Sequence, residues 1–243
     1  MRDTPVPALS AGHPHLMPSA PAMSVRPRRF DLIAFDWDGT LFDSTAFIVH
    51  SIQRACRDLG VPVPSDEQAA YVIGLSLHDA LKHAVPGLPA ERYHDLVQAY
   101  RRHYFAAQHE VSLFKGTLEM LHALRERQHI LTVATGKSRR GLDEALTSTE
   151  LHGLFDASRT AEETFSKPHP RMLLELMAEF GVEPERTLMI GDTTHDLQLA
   201  ANAGTPAVAV SYGAHPSDAL QTHAPLFIAR SVPELHDWLR QHG

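Results

Sequence analysis

The chain has 243 residues, 43% of them hydrophobic and 21% charged, which is enough apolar material to bury a full core in one large domain or two smaller ones. Its formal net charge of −7 offers no basic stripe to a nucleic-acid backbone, and no apolar run approaches the roughly 18 residues of a membrane span. A single cysteine, Cys56, excludes an internal disulfide and fits a reducing compartment, so a cytoplasmic location is expected.

Prolines at 5, 7, 14, 18, 21 and 27 interrupt every apolar stretch that a secretory leader would use, and residues 1–29 are expected to form a disordered tail. Asp31 to Phe35 then reads as a strand buried on both faces, broken by Gly39-Thr40. Between strand and break stand Asp36 and Asp38. Side chains i and i+2 of a strand share a face, so both acids project the same way if the extended geometry persists through Trp37. Two anions that close require a cation or a shared proton. A helix follows, with Ser44 placed to cap it and Gly60 to close it. Helical patterns at 65–73, 76–84 and 90–108 come next, separated by prolines and glycines and with no strand among them.

From Gly116 the pattern alternates. Helix 117–128, strand 130–134, helix 138–148, a short strand near 155, helix 170–180, strand 187–190, helix 196–203, strand 207–210, strand 226–229 and helix 232–241 predict a doubly wound parallel α/β sheet. Polar groups stand at the ends of these strands. Thr135-Gly136-Lys137-Ser138 follows the second, Lys167 precedes Pro168-His169-Pro170, and Gly191-Asp192-Thr193-Thr194-His195-Asp196 follows Leu188 to Ile190. Gly136-Lys137-Ser138 is not a nucleotide-binding P-loop, because Leu131 stands where the first glycine is required. The 17 histidines scatter without a zinc-like spacing, and His169 and His195 read as bystanders beside the motifs.

An Asp-x-Asp pair, a threonine after the second strand, a lysine and a closing acidic pair, in that order, resemble the haloacid dehalogenase-like phosphohydrolase superfamily over roughly residues 30 to 240. The all-helical stretch after the first strand is similar to the cap of its phosphoglycolate phosphatase branch. The resemblance implies a Rossmann-like α/β core from residues 30–43 and 112–243, with residues 44–111 inserted as a helical cap. It also implies that the first and fourth strands are neighbours, which brings Asp36, Asp38, Asp192 and Asp196 around one small volume. Four anions there would repel strongly unless a hard cation is present, and Mg²⁺ suits oxygen ligands that also approach phosphate.

By the same resemblance, Asp36 is the nucleophile that becomes an aspartyl-phosphate, and Asp38 protonates the leaving alcohol and then activates water. Thr135 holds phosphate with support from Gly136, and Lys167 offsets charge. Asp36, the backbone carbonyl of Asp38 and Asp192 ligate the metal, while Thr193 and Asp196 support the site and Asp196 orients Lys167 or a metal-bound water. Asp38 argues against dehalogenation, which has no alcohol to protonate. The expected activity is therefore a Mg²⁺-dependent phosphatase of a small phosphorylated metabolite similar to phosphoglycolate, acting as a monomer or homodimer without nucleic-acid or membrane partners. A sugar-phosphate mutase or pyrophosphatase of the same fold remains open, as does a catalytically weak binding or regulatory protein. Substrate choice is expected to lie in the helical insert, with Gly74-Leu75-Ser76, His78 and Lys82 as candidates to hold a compact anionic leaving group.

Overall fold

The computed structural model describes Met1 and residues 28–107, 111–147 and 150–243. The expected disordered tail lies outside the described residues as far as residue 27. Strand β1 (Leu32–Phe35) is the centre of the molecule, and every side chain in it is buried. Successive residues point to opposite faces, so Ile33 and Phe35 enter one core while Leu32 and Ala34 enter another. The other strands are β2 (Ile130–Thr135), β3 (Ala157–Thr160), β4 (Thr187–Gly191), β5 (Ala207–Val210) and β6 (Ile228–Ala229). They form one parallel sheet in the order β3-β2-β1-β4-β5-β6.

Ahead of β2 lie α1 (Thr45–Asp58), α2 (Asp66–Tyr71), α3 (Leu77–Ala84), α4 (Arg92–Ala107) and α5 (Thr117–Glu126). The later helices are α6 (Arg139–Thr147), α7 (Arg171–Phe180), α8 (Thr194–Ala203), α9 (Ser217–Gln221) and α10 (Val232–His242). Met120, Leu121 and Leu124 of α5 and Leu235 and Leu239 of α10 pack with Ile33 and Phe35. Leu173 and Leu176 of α7 and Leu199 of α8 pack with Leu32 and Ala34 on the other face. This two-sided cover is the doubly wound architecture. It puts the topological switch between β1 and β4, and the carboxyl ends of those two strands open onto one crevice.

Helices α1 to α4 form an inserted all-helical cap with its own apolar cluster, in which Ile52, Leu81, Leu96 and Ala99 are at most 2% exposed. The chain enters and leaves the cap side by side: Asp43 N–H donates to the Ser112 carbonyl at 3.0 Å, and Phe114 N–H to the Leu41 carbonyl at 3.0 Å. Polar contacts dock the cap on the core. The Tyr71 carbonyl accepts from His195 Nε2 at 2.8 Å and His215 Nε2 at 3.0 Å, and Ser76 N–H donates to Ser166 Oγ at 2.8 Å. His215 Nδ1 accepts from the Thr194 N–H at 3.0 Å, which fixes the ring as the neutral tautomer that donates through Nε2.

Several local expectations need correction. Ser44 precedes α1 but makes no side-chain cap, because its hydroxyl is drawn to Asp38 instead. Helix α8 begins at Thr194 rather than 196, since Thr193 and Asp196 close a reciprocal capping box that starts the helix earlier. Strand β3 starts at Ala157, after Asp156 has turned its carboxylate back to the Leu131 N–H and Arg125. The short helix α9 has too few residues to show a helical period.

Gly136, just past β2, lies so close to the cap that a Cβ there would stand 2.3 Å from the Leu75 carbonyl oxygen and 2.6 Å from that of Gly74. Backbone atoms cannot swing aside as a side chain would. Gly136→Ala is therefore expected to cost about 1–3 kcal/mol through overpacking and to lower Tm by roughly 2–4 °C per kcal/mol, read by calorimetry. An unchanged Tm would mean that the 74–75 loop separates from β2 at no cost.

Candidate active site

Asp36 immediately follows β1, and its N–H donates to the Ile190 carbonyl of β4 at 2.8 Å, so the last ladder bond of the strand pair sets its position. Its side chain is 1% exposed. Lys167, from the loop before α7, places its fully buried ammonium 2.5 Å from Asp36 Oδ1 and 2.6 Å from Asp196 Oδ1. The other oxygen of Asp196 accepts from the Thr193 N–H at 3.0 Å and hydroxyl at 2.7 Å. The residues that start α8 thus also aim its carboxylate.

Asp192, just past β4, is 0% exposed. Its Oδ1 accepts from the Thr40 hydroxyl at 2.8 Å and its Oδ2 from the Ala214 N–H at 2.7 Å. Gly39 crosses directly over this carboxylate with φ of +81°, and a Cβ there would lie 2.2 Å from Oδ2. The break after the Asp-x-Asp pair is thus a packing requirement as well as a turn. One oxygen from each of Asp36, Asp192 and Asp196 lies within 4.8 Å of the others. Asp36 Oδ2 is buried with no hydrogen-bond partner. Three buried carboxylates against one ammonium leave an excess of negative charge, and an orphaned carboxylate oxygen in an all-oxygen donor set fits a hard divalent cation.

The titration behaviour follows from this crowding. Burial pushes the Asp36 carboxyl well above its ordinary range; Lys167 opposes that shift, while Asp196 and Asp192 add to it. Burial also raises Asp192, to about 7, with Asp196 reinforcing the shift and the Ala214 N–H and Thr40 hydroxyl opposing it. Burial works against the Lys167 ammonium, but Asp196 and Asp36 outweigh it and hold the group charged above its usual range.

Asp38 takes a different direction from the other three acids. Its Oδ1 accepts from the Ser44 hydroxyl at 2.8 Å, and its Oδ2 lies 3.0 Å from the Lys137 ammonium. The expected ring of four carboxylates is therefore a cluster of three, with the fourth turned toward a lysine. Lys137 also meets the Tyr104 hydroxyl of α4 at 2.6 Å, which ties the cap to the strand end that carries Thr135. Thr135 is 1% exposed, and its hydroxyl accepts from the Lys137 N–H at 3.2 Å. Sequence reasoning meets Lys137 only as part of a rejected P-loop and misses its partnership with Asp38. The signal available is its place two residues after Thr135 at a strand end.

A cavity of about 130 Å³ opens between core and cap. Asp36, Asp38, Thr135, Gly136 and Lys137 line its floor on the core side. Gly74, Leu75 and Ser76 line it from the cap, as expected for that loop. His78 and Lys82 do not: both are exposed on α3, and His78 instead stacks edge-on against Tyr93.

A carboxyl raised in the fold stabilises the folded state below its unfolded pKa, and that contribution is lost as pH rises through its folded value. For Asp192 the window runs from about 3.8 to about 7. In metal-free buffer, thermal stability is expected to fall as pH rises across that window, and Asp192→Asn should flatten part of the fall, on the order of a few kcal/mol. Parallel pH–Tm curves for the two proteins would contradict this assignment.

The model of the haloacid dehalogenase-like hydrolase family matches residues 33–210. The Dickeya dadantii protein named "Probable phosphatase IndB" is 35% identical over 212 residues, covering 84% of this chain and 91% of its own. Pyrophosphatase PpaX of Halalkalibacterium halodurans is 29% identical, covering 84% of this chain and 94% of its own. Among solved structures, a "predicted phosphoglycolate phosphatase" from Haemophilus somnus 129pt superposes with a TM-score of 0.78 at 26% identity, covering 86% of this chain and 97% of that one. With the matched region spanning the three-carboxylate cluster and running from the second residue of β1 to the end of β5, the chain belongs to the haloacid dehalogenase-like hydrolases, as a phosphatase of the phosphoglycolate phosphatase-like branch.

Proposed function

We propose that the protein is a Mg²⁺-dependent phosphatase that hydrolyses a small phosphorylated metabolite, in the size range of phosphoglycolate, through an aspartyl-phosphate on Asp36. The observation that carries this reading is the pairing of an unpartnered, buried Asp36 Oδ2 with a lysine on Oδ1 at the floor of a cavity between core and cap. Asp36, the backbone carbonyl of Asp38 and Asp192 would hold the metal, and Asp196 would steady Lys167. When bound, Mg²⁺ supplies positive charge to the phosphate oxygens and offsets the surplus of buried carboxylates. Residues 44–111 serve as the cap domain and residues 30–43 and 112–243 as the core, and the reaction belongs in the cytoplasm.

The chain's own residues account for the rest of the reaction. A carboxylate oxygen of Asp36 attacks phosphorus, the bond to the ester oxygen breaks, and the electron pair leaves with the alcohol. Asp38 donates a proton to that oxygen, then takes one from the water that attacks phosphorus and frees Asp36 as phosphate departs. Ser44 and Lys137 hold Asp38 in line from opposite sides. Lys167 offsets charge on the nucleophile and the phosphoryl oxygens, and Thr135, at the end of the neighbouring strand β2, holds one of those oxygens. The cap excludes bulk water. The name of the relative PpaX makes inorganic pyrophosphate a second substrate to be tested.

Asp36→Asn removes the nucleophile at constant volume, so turnover should fall by several orders of magnitude, against roughly 10²- to 10⁴-fold for Asp38→Asn. Retention of more than a few per cent of the wild-type rate in Asp36→Asn, with circular dichroism unchanged, would remove Asp36 from this role. Asp192→Ala and Lys167→Ala should part company when activity is titrated against Mg²⁺. The first raises the concentration needed for half-maximal rate, by about 10-fold or more, while the second lowers the plateau with less effect on the midpoint. Superimposable titrations would show that one of the two is misplaced.

A further inference from the structure

We infer that the leaving group of the substrate is compact, uncharged and mainly apolar, such as a branched alkyl or single-ring alcohol, rather than a carboxylate-bearing one such as glycolate; this rests on the phosphatase reading above. The inference comes from the wall that faces the phosphate end of the cavity. Ile48 and Ile52 of α1, Val72 and Ile73 after α2, and Leu77 and Ala80 of α3 form that wall. None of the six carries a hydrogen-bonding side chain. Ile48, Ile52, Val72, Ile73 and Ala80 belong to the cap's own buried cluster, with exposures of 2–7%, so they are held in place by packing and cannot turn a polar face inward.

Arg101 apart, the polar groups on this side are neutral or already engaged. Burial raises the Tyr100 hydroxyl well above its ordinary value, with Tyr104 and Asp38 adding to the effect, and Tyr104 is raised for the same first reason. Both therefore stay protonated at neutral pH and offer hydrogen bonds without charge. The Lys137 ammonium is shared between Asp38 at 3.0 Å and the Tyr104 hydroxyl at 2.6 Å. A substrate carboxylate would have to compete for it with the Tyr104 hydroxyl and, whenever Asp38 is ionised, with Asp38. The remaining charged lining residues are of opposite sign: Glu162 accepts from the Arg139 N–H at 3.1 Å, and Arg101 is the competing candidate for an anion receptor, which Arg101→Gln removes. A carboxylate taken into such a pocket loses its water and meets the like charges of Asp36, Asp38 and Glu162 with Arg101 as the cation left to receive it, whereas an apolar group loses only its hydrophobic hydration.

Size narrows the class further. A cavity of about 150 Å³ lined by aliphatic and aromatic side chains holds a benzene-sized molecule, and the space here is about 130 Å³. That space holds a phosphate with a short branched chain, and one ring would extend toward the open side of the cavity. Each methylene buried against the wall is worth roughly a fourfold gain in kcat/KM.

The test compares isobutyl phosphate and benzyl phosphate with phosphoglycolate, pyrophosphate and acetyl phosphate, all with Mg²⁺, on the full chain. Acetyl phosphate has an activated leaving group that needs little from the pocket, so it reports the phosphatase reading independently of leaving-group recognition. The expected result is a kcat/KM at least about 10-fold higher for the better apolar ester than for phosphoglycolate or pyrophosphate. Benzylphosphonate should likewise inhibit acetyl phosphate hydrolysis at lower concentration than phosphonoacetate. Leu77→Lys, which adds a cation to the half-buried edge of the wall, should reverse the order toward phosphoglycolate. Phosphoglycolate or pyrophosphate ahead of both apolar esters, with acetyl phosphate hydrolysed, would overturn the inference alone. Collapse of phosphoglycolate turnover in Arg101→Gln with benzyl phosphate spared would also overturn it, by making Arg101 an anion receptor. Failure to hydrolyse any of the five would overturn the phosphatase reading and the inference with it.

Discussion

A single ammonium buried between two carboxylates, Lys167 between Asp36 and Asp196, is the constraint on which the rest of the structure depends. Placing any of these charges in a dry interior alone would be prohibitive, and placing three carboxylates there with one lysine is only partly offset. The fold supplies the remainder through fixed dipoles: the Thr193 N–H and hydroxyl on Asp196, and the Thr40 hydroxyl and Ala214 N–H on Asp192. These donors come from three different turns at the carboxyl edge of the sheet. The strand order that makes β1 and β4 neighbours is what brings those turns together, so topology and electrostatics are one requirement here. The surplus negative charge costs stability, and it is the charge that a bound cation would offset.

The helical cap obeys a different rule. Its inner cluster is apolar and built mainly from its own helices, with Ala214 of the core packed against it, while many of its contacts with the core are polar: hydrogen bonds from His195, His215 and Ser76 and the Lys137–Tyr104 pair. Polar contacts exchange for water at small net cost, whereas breaking the cap's own cluster would expose apolar surface. The cap is therefore held together more firmly than it is held down. Paired crossings at Asp43–Ser112 and Leu41–Phe114 keep the two connecting segments of chain in step, so a movement at one is transmitted to the other.

Much of the core could be read from the chain because parallel strands buried on both faces leave short, continuous apolar runs, and such runs end where the polar residues of the site begin. Asp36, Asp192 and Asp196 were visible for that reason and Lys167 by its place in the order of motifs, and the structure brings the four together. Asp38 was visible as a residue but not as a geometry. Its carboxylate turns to Ser44 and Lys137, and β1 ends at Phe35, so the i, i+2 rule for strands, which needs extended geometry through Trp37, does not govern the pair. Ser44 looked like a helix cap because serine before an apolar helix usually is one; a nearby carboxylate competes for the same hydroxyl, and that competition is set by tertiary structure. His78 and Lys82 looked like anion receptors because they are basic and lie near the cap loop. On α3 they fall on the exposed side, and Leu77 and Ala80 take the inner one.

That last contrast accounts for chemistry being more legible than specificity in this chain. The reacting groups sit at strand ends, where a charged residue beside a buried run is seldom there for packing. The residues facing the leaving group sit inside amphipathic helices, and there Ile48, Ile52 and Ala80 satisfy the 3.6-residue period of a core face whether or not a substrate ever touches them. One side chain serves both purposes: Ile52 is 2% exposed within the cap's cluster and also lines the cavity. Periodicity records burial, and burial against protein looks the same as burial against an apolar ligand. Only the placement of α1 and α3 over the Asp36 floor separates the two, which is why the leaving-group wall emerges from the fold and not from the spacing of residues along the chain.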